Sequence, residues 1–250
     1  MIVENWITTV QEPRTLFLAW QAPDHYKERY RWAVGMLSPT GNDLQLRYFS
    51  DTEFRQFNDG KPIDAARALS YEGFPSFDRK RQIHQAGVAD AFLRRLPPQS
   101  RADFRDFMKQ FRLAPDRPLS PLALLGRTEA KLPSDGFSVV DPLDPTQASC
   151  DLMLEIAGFR YYVKEEPLGV GVGHEVTIEA EPDNQYDAGA VKVSLGGRKI
   201  GNINRLQAPT FLQWLRHRKV TAVLERLNGK PDSPRAFVFA RVRPAMRAAA

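Results

Sequence analysis

Apolar positions in the first half of the chain come in short runs closed by turn residues. Thr15-Leu16-Phe17-Leu18-Ala19-Trp20 is a compact apolar run, Tyr30-Arg31-Trp32-Ala33-Val34-Gly35-Met36-Leu37 is a second, and after Ser38-Pro39-Thr40-Gly41-Asn42 the segment Asp43-Leu44-Gln45-Leu46-Arg47-Tyr48-Phe49 alternates. That pattern predicts an antiparallel meander of three strands. From Asp51 to Asp78 the rhythm is poor and broken by Gly60, Pro62, Gly73 and Pro75, which predicts a long connection with a short helix. Val88, Phe92 and Leu96 then recur every four positions, the spacing of one helix face, and Pro97-Pro98 ends that helix. Ser100 is suited to cap a second helix running to Leu113, whose Phe104, Phe107, Met108 and Phe111 predict a core-facing stripe. Ser120 caps a third at Pro121–Leu125, with proline where the missing amide donor costs nothing.

Lys131 to Ser149 holds three prolines and a glycine and predicts a linker, although Phe137-Ser138-Val139-Val140 also reads as an edge strand. Beyond it the strand rhythm returns. Asp151 to Gly158 alternates and continues through Arg160-Tyr161-Tyr162, and His174 to Ala180 and Ala190 to Leu195 are further strands. Gly196-Gly197 suits a two-residue turn needing positive φ, with Arg198 to Ile203 as the returning strand. Gly169-Val170-Gly171-Val172-Gly173 precedes a strand rather than a helix, so it predicts a hairpin loop and not a phosphate cradle. Ala208, Phe211, Leu212 and Leu215 mark a helix from about Pro209, with Arg216, His217, Arg218 and Lys219 at its C-terminal end, where cations oppose the helix dipole. Val220 to Leu227 and Arg235 to Val242 are strands around an Asn228–Asp232 loop, and Ala248-Ala249-Ala250 reads as a frayed end. The expected architecture is α+β in two domains: residues 1–130, a linker over 131–149, and residues 150–245.

Between the His174 and Ala190 strands lies a polar corner, Glu181-Pro182-Asp183-Asn184-Gln185-Tyr186-Asp187. Pro182 removes a ladder donor and ends the first strand, while Asp183, Asn184 and Asp187 can bond nearby amides to hold an irregular turn.

Composition narrows the function classes. The 250 residues suffice for one large or two small cores. Cys150 is the single cysteine, which excludes an internal disulfide and a cysteine zinc cluster and fits a reducing compartment. No apolar run approaches membrane-spanning length and no secretion signal opens the chain, so a cytoplasmic protein without membrane contact is expected. Twelve Lys and Arg residues follow position 197 against two carboxylates, Glu225 and Asp232, a local excess of ten against five for the whole chain. Such asymmetry suits a phosphate-holding surface, and equally a solvated basic face. His25, His84, His174 and His217 lie far apart, no Gly-x-Ser-x-Gly elbow exists, and Cys150 has no basic cluster beside it. No enzyme, metal or cofactor is expected.

The corner together with Ala188-Gly189-Ala190-Val191-Lys192-Val193 resembles the signature of HIRAN domains, roughly Asp/Glu-Pro-x-Asn-x-Tyr-Asp-x-x-Ala-Val-x-Val. Gly158-Phe159-Arg160-Tyr161-Tyr162 upstream and Lys199-Ile200-Gly201-Asn202-Ile203 downstream resemble two other landmarks of that family, in the right order. The resemblance implies a small OB-like β-barrel with short helices that binds single-stranded DNA at its 3′-hydroxyl end. It assigns Tyr161 and Tyr186 to stacking on terminal bases, Asp187 to accepting the hydroxyl proton, Arg160 and Arg205 to phosphates, and Asn184 and Asn202 to orienting amide bonds. Asn202 stands where the characterised domain has histidine and Arg205 where it has lysine. Each residue also has a plain structural use: the tyrosines as core aromatics with a wet hydroxyl, Asn184 and Asp187 as turn formers.

Gly35-Met36-Leu37, Leu69-Ser70, Phe92-Leu93-Arg94-Arg95-Leu96-Pro97-Pro98-Gln99 and Leu122-Ala123-Leu124-Leu125 are similar in order and spacing to the N-terminal subdomain of HipA-type toxin kinases. No kinase body follows, so this likeness implies an adaptor that contacts protein through residues 1–130, not phosphoryl transfer. The expectation is therefore a non-enzymatic protein binding single-stranded DNA or DNA ends in repair, replication or defence. The alternative is an antitoxin-like adaptor for a HipA-type kinase or other protein, with the barrel as scaffold.

Overall fold

In the computed structural model, which describes residues 5–26, 30–132, 134–164, 168 and 171–245, the predicted meander forms. β1 (Leu16–Gln21) pairs antiparallel with β2 (Arg31–Thr40), and β2 with β3 (Asp43–Tyr48). β2 runs through Ser38-Pro39-Thr40, so the turn is shorter than predicted. The long connection holds two short helices, α1 (Asp51–Phe57) and α2 (Ile63–Arg67), where one was predicted, and a two-residue strand, β4 (Ile83–His84), follows it. Ser50 and Glu53 close a reciprocal capping box at the start of α1. Asn58, fully buried just past α1, accepts from the Ala33 amide and donates to the Ala33 and Phe54 carbonyls, each at 2.8 Å, tying the helix to β2.

α3 (Val88–Leu93) and α4 (Phe104–Gln110) are shorter than the spacing predicts. The residues from Ser100 to Asp103 form a turn, and the Arg101–Asp103 ion pair folds that segment on itself. On α4 only Met108 is buried; Phe104, Phe107 and Phe111 are half-buried, the first two tilted against each other and the last two T-shaped, which corrects the expectation of a core stripe. α5 (Pro121–Thr128) forms as predicted, with the Ser120 hydroxyl accepting from the Ala123 amide.

The predicted linker also needs correcting. Phe137–Val140 is the edge strand its sequence also allowed, β5, buried at all four positions and paired with β1, so the first sheet reads β4-β3-β2-β1-β5. Its buried Phe137, Val139 and Val140, rather than the surrounding prolines, decide its place. The chain accordingly divides differently from the expected 1–130, 131–149 and 150–245. One unit comprises residues 11–111 and 115–142, and the other the residues before 11, residues 112–114 and the residues from 143 on. In the second unit Ile7 bridges Leu113, while Asn5 and Arg112 both bond the buried Glu225.

The second unit contains β6 (Cys150–Glu155), α6 (Phe159–Tyr162), β7 (Glu175–Ala180), β8 (Val191–Leu195), β9 (Arg198–Asn202), α7 (Ala208–His217), β10 (Arg218–Lys230) and β11 (Ser233–Pro244). The strand order is β6-β11-β10-β7-β8-β9. Ala157, just past β6, and Asn202, ending β9, exchange two backbone hydrogen bonds of 2.8 and 2.9 Å and so join the two edges of the sheet into a barrel. Gly201 permits this approach: a Cβ there would lie 2.4 Å from the Ile156 side chain and 2.5 Å from the Ala157 carbonyl oxygen. β7 and β10 share only two register pairs, Ala222 with Val176 and Val223 with Glu175. α7 packs on β7, β8 and β10 where the strands part and buries Ala208, Phe211 and Trp214.

Gly196-Gly197 adopts positive φ at both positions, as the two-residue turn requires. The Asn228–Asp232 loop is tighter than predicted, since the strands run to Lys230 and from Ser233 and leave Pro231-Asp232 as the turn. Arg160-Tyr161-Tyr162 is a turn of helix rather than strand, because Gly158 at φ 76° swings the chain away once Ala157 has closed the barrel. Gly169, Val170 and the C-terminal alanines lie outside the described residues. No helix among the described residues is long and apolar enough to cross a membrane.

Candidate nucleic-acid interface

The polar corner is held by its own side chains. Asn184 is central: its Nδ2 donates to Glu181 Oε2 at 2.7 Å, and its Oδ1 accepts from the amides of Tyr186 at 2.9 Å and Asp187 at 3.1 Å. Asp187 Oδ1 accepts from the Gly189 amide at 2.8 Å, and the Ala190 amide reaches the Asp187 carbonyl at 3.0 Å. Asn184 and Asp187 are thus the turn formers their residue types predict. Their effect is to fix the backbone under Tyr186.

Barrel closure brings the other landmarks to the same carboxylate. Lys199 Nζ donates to both oxygens of Glu181, at 2.8 and 2.6 Å, and Asn202 Nδ2 adds a bond at 3.3 Å. Lys199 also sits 5.0 Å from the centre of the Tyr162 ring, and Arg198 donates to the Tyr162 carbonyl at 2.8 Å. The corner, β9 and α6 are therefore joined through Glu181, Lys199 and Tyr162. Next along α6, the Arg160 guanidinium lies 4.8 Å from the Tyr161 ring centre and donates to its hydroxyl at 2.8 Å.

The two tyrosine rings are not core. Tyr186 is 95% exposed and Tyr161 57% exposed. A ring left in water contributes little to folding, since apolar stabilisation scales with area removed from solvent. Of the seven predicted site residues, Asn184 and Asn202 meet at Glu181, Tyr186 and Asp187 hang on Asn184, and Arg160 pairs with Tyr161. Arg205 is half-buried in the segment between β9 and α7. Glu181, Lys199 and Tyr162 were not singled out from sequence, although all three lie within the landmark segments, and Glu181 opens the signature.

Burial pushes the Glu181 carboxyl up, but hydrogen bonds from Lys199, Asn184 and Asn202 outweigh it and hold the group below its ordinary 4.5. Burial likewise pushes Lys199 down, while the bond to Glu181 and the nearby Tyr162 leave it above 10.5. The contribution of Glu181 to stability is complete above the unfolded value and is lost as acid takes the pH through the lower folded one; that of Lys199 is complete below 10.5 and lost in stronger alkali. Wild type should therefore exceed Glu181→Gln in denaturant stability at neutral pH by no more than about 1 kcal/mol, since water screens the pair from its open side. That margin should shrink as the pH falls below 4.5. Parallel urea titrations of the two proteins across that range check it; a margin constant in acid would show that the carboxylate is not held this way.

No group of three or more His, Cys, Asp or Glu side chains among the described residues is placed to hold a metal ion. What remains is a small closed barrel that carries a braced polar corner and exposed aromatic rings, of which Tyr161 and Tyr162 lie beside cations. Residues 151–243 match the family model of the HIRAN domain, so the second unit carries a HIRAN domain, and the match supports nucleic-acid binding by it. Among solved structures, the chain is similar to the HIRAN domain of human HLTF, at 20% identity over 37% of this chain and 74% of that one, with a TM-score of 0.30. It is also similar to a structural-genomics protein from Lactobacillus plantarum, at 21% identity over 38% of this chain and 98% of that one, with a TM-score of 0.28. No curated protein matches the chain. The matched residues leave the first unit outside, and its resemblance to the HipA-type subdomain gains no support from them.

Proposed function

We propose that the protein is a non-enzymatic binder of single-stranded DNA that takes the 3′-hydroxyl end at the corner of its HIRAN domain. The observation that carries this reading is the exposure of Tyr186 and Tyr161 on a backbone pinned beneath them. Stacking tolerates any base, because every base has a π-face. Asp187 uses Oδ1 within its own turn and leaves its second oxygen to accept a hydrogen bond from a terminal hydroxyl. The same carboxylate repels a terminal phosphate. Arg160 and Arg205 take flanking phosphates, and Asn184 and Asn202, locked through Glu181, keep the corner's geometry.

The expected result is that an oligonucleotide ending in a 3′-hydroxyl binds about tenfold or more tightly than the same strand ending in a 3′-phosphate, as a hydrogen bond to a charged group would give. Asp187→Ala should remove most of that difference. Fluorescence anisotropy with the two strands decides it, and equal affinity in wild type defeats end recognition.

A further inference from the structure

We propose that the turn from α7 into β10 is a second phosphate contact, which holds the sugar-phosphate backbone of single-stranded DNA as it leaves the corner. This rests on the reading of the corner as a terminus-binding site. Arg216, His217, Arg218 and Lys219 are consecutive; Arg218 is half-buried and the other three are exposed. Arg218 leaves the helix directly as strand, at φ −136° and ψ 161°, and its Nη1 donates to the His217 carbonyl at 3.3 Å. No carboxylate among the described residues pairs with any of the four. Elsewhere in the same unit, Arg243 is held by Asp151, Arg235 by Glu155, Lys199 by Glu181 and Arg112 by Glu225.

The helix dipole accounts for Arg216 and His217 in the last turn, but Arg218 and Lys219 are strand residues beyond it. Across the hairpin, Lys219 faces Arg243, whose own charge is already taken up by Asp151, so no carboxylate is supplied from that side. Cations grouped without counter-charge repel one another, and a polyanion relieves that while releasing its own counterions.

The turn is also placed to meet a strand bound at the corner. From the two pairs shared by β7 and β10, β7 runs on to Glu181, and β10 runs back at the same end to Arg218. α7 lies between them. Its ten residues span about 15 Å, with Arg205 just ahead of its first turn and Arg216 in its last. At roughly 3.4 Å of rise per nucleotide in a stacked strand, that is about four to five nucleotides.

The test uses the full-length protein, a labelled trinucleotide and a labelled dodecanucleotide, each with a free 3′-hydroxyl, in a salt titration. The variant Arg216→Gln/Arg218→Gln/Lys219→Gln should bind the dodecanucleotide about tenfold or more weakly at low salt. Its plot of log affinity against log salt should be shallower by about 2, three phosphates at roughly 0.7 each. Trinucleotide affinity should not change. Should half-buried Arg218 prove necessary for folding, the exposed pair Arg216→Gln/Lys219→Gln should show the same pattern with a smaller slope change. Wild-type affinity and slope on the dodecanucleotide in both variants overturn the proposal, as does an equal loss on both lengths. Undiminished binding of both lengths by Tyr161→Ala/Tyr186→Ala overturns the terminal reading and the path drawn from it. The slope tells the two failures apart, since only the turn variants change it.

Discussion

Replacing Tyr161 and Tyr186 together by alanine should lower affinity for a single-stranded oligonucleotide by between about thirtyfold and twenty-thousandfold. Each base stacked on an aromatic ring is worth roughly 1 to 3 kcal/mol, and two such contacts on one strand give that range if they add. The same substitutions should change folding stability by no more than about 0.5 kcal/mol, because the rings lie mostly in water. Binding and stability therefore separate. Tyr161→Phe/Tyr186→Phe keeps the π-faces and should retain most of the affinity, apart from the contribution of the Arg160 bond to the Tyr161 hydroxyl. Anisotropy titrations and urea unfolding of the three proteins check both halves. Wild-type binding by the alanine pair would leave the exposed rings without the role given them, and unfolding of that pair would make them structural after all.

The second large effect falls in the first unit. Arg95, at 6% side-chain exposure, grips Asp135 with both terminal nitrogens at 2.5 and 3.0 Å and donates to the Ala130 and Phe137 carbonyls at 2.7 and 2.9 Å. Its guanidinium also lies 5.3 Å from the Phe74 ring centre. One side chain thus ties α3 to the segment leading into β5. Arg95→Ala should destabilise this unit by about 3 to 5 kcal/mol, because it strands Asp135 and two carbonyls partly out of water. Arg95→Lys keeps the charge but not the planar fork, and should fall between the two. Thermal or urea unfolding of the full-length variants reads the difference, and a loss below about 1 kcal/mol would mean that water replaces the fork at little cost.

Strands were legible where turn residues bracket them. The meander from Leu16 to Tyr48 and the Gly196-Gly197 hairpin follow directly, since alternation and positive-φ glycines are local properties. The polar corner was legible for the same reason: Asn184 and Asp187 bond amides two or three residues away. Arg160-Tyr161-Tyr162 misled because tyrosine favours strands, a preference that tertiary context overrides. β5 was half hidden, because its apolar run sits among prolines and its partner β1 lies more than a hundred residues earlier.

The chain's own order of residues determined most of the segments that extend or coil, where the polar corner lies, and that positive charge gathers toward the C-terminal end. Each of these follows from neighbours a few positions apart. Only the folded barrel decided that Glu181 meets Lys199 and Asn202, that α6 stands beside β9, and that the basic turn has no carboxylate partner among the described residues. Those facts depend on the closing bond between Ala157 and Asn202 and on the register of distant strands, and such pairings are selected by the packing of the whole core rather than by any local run.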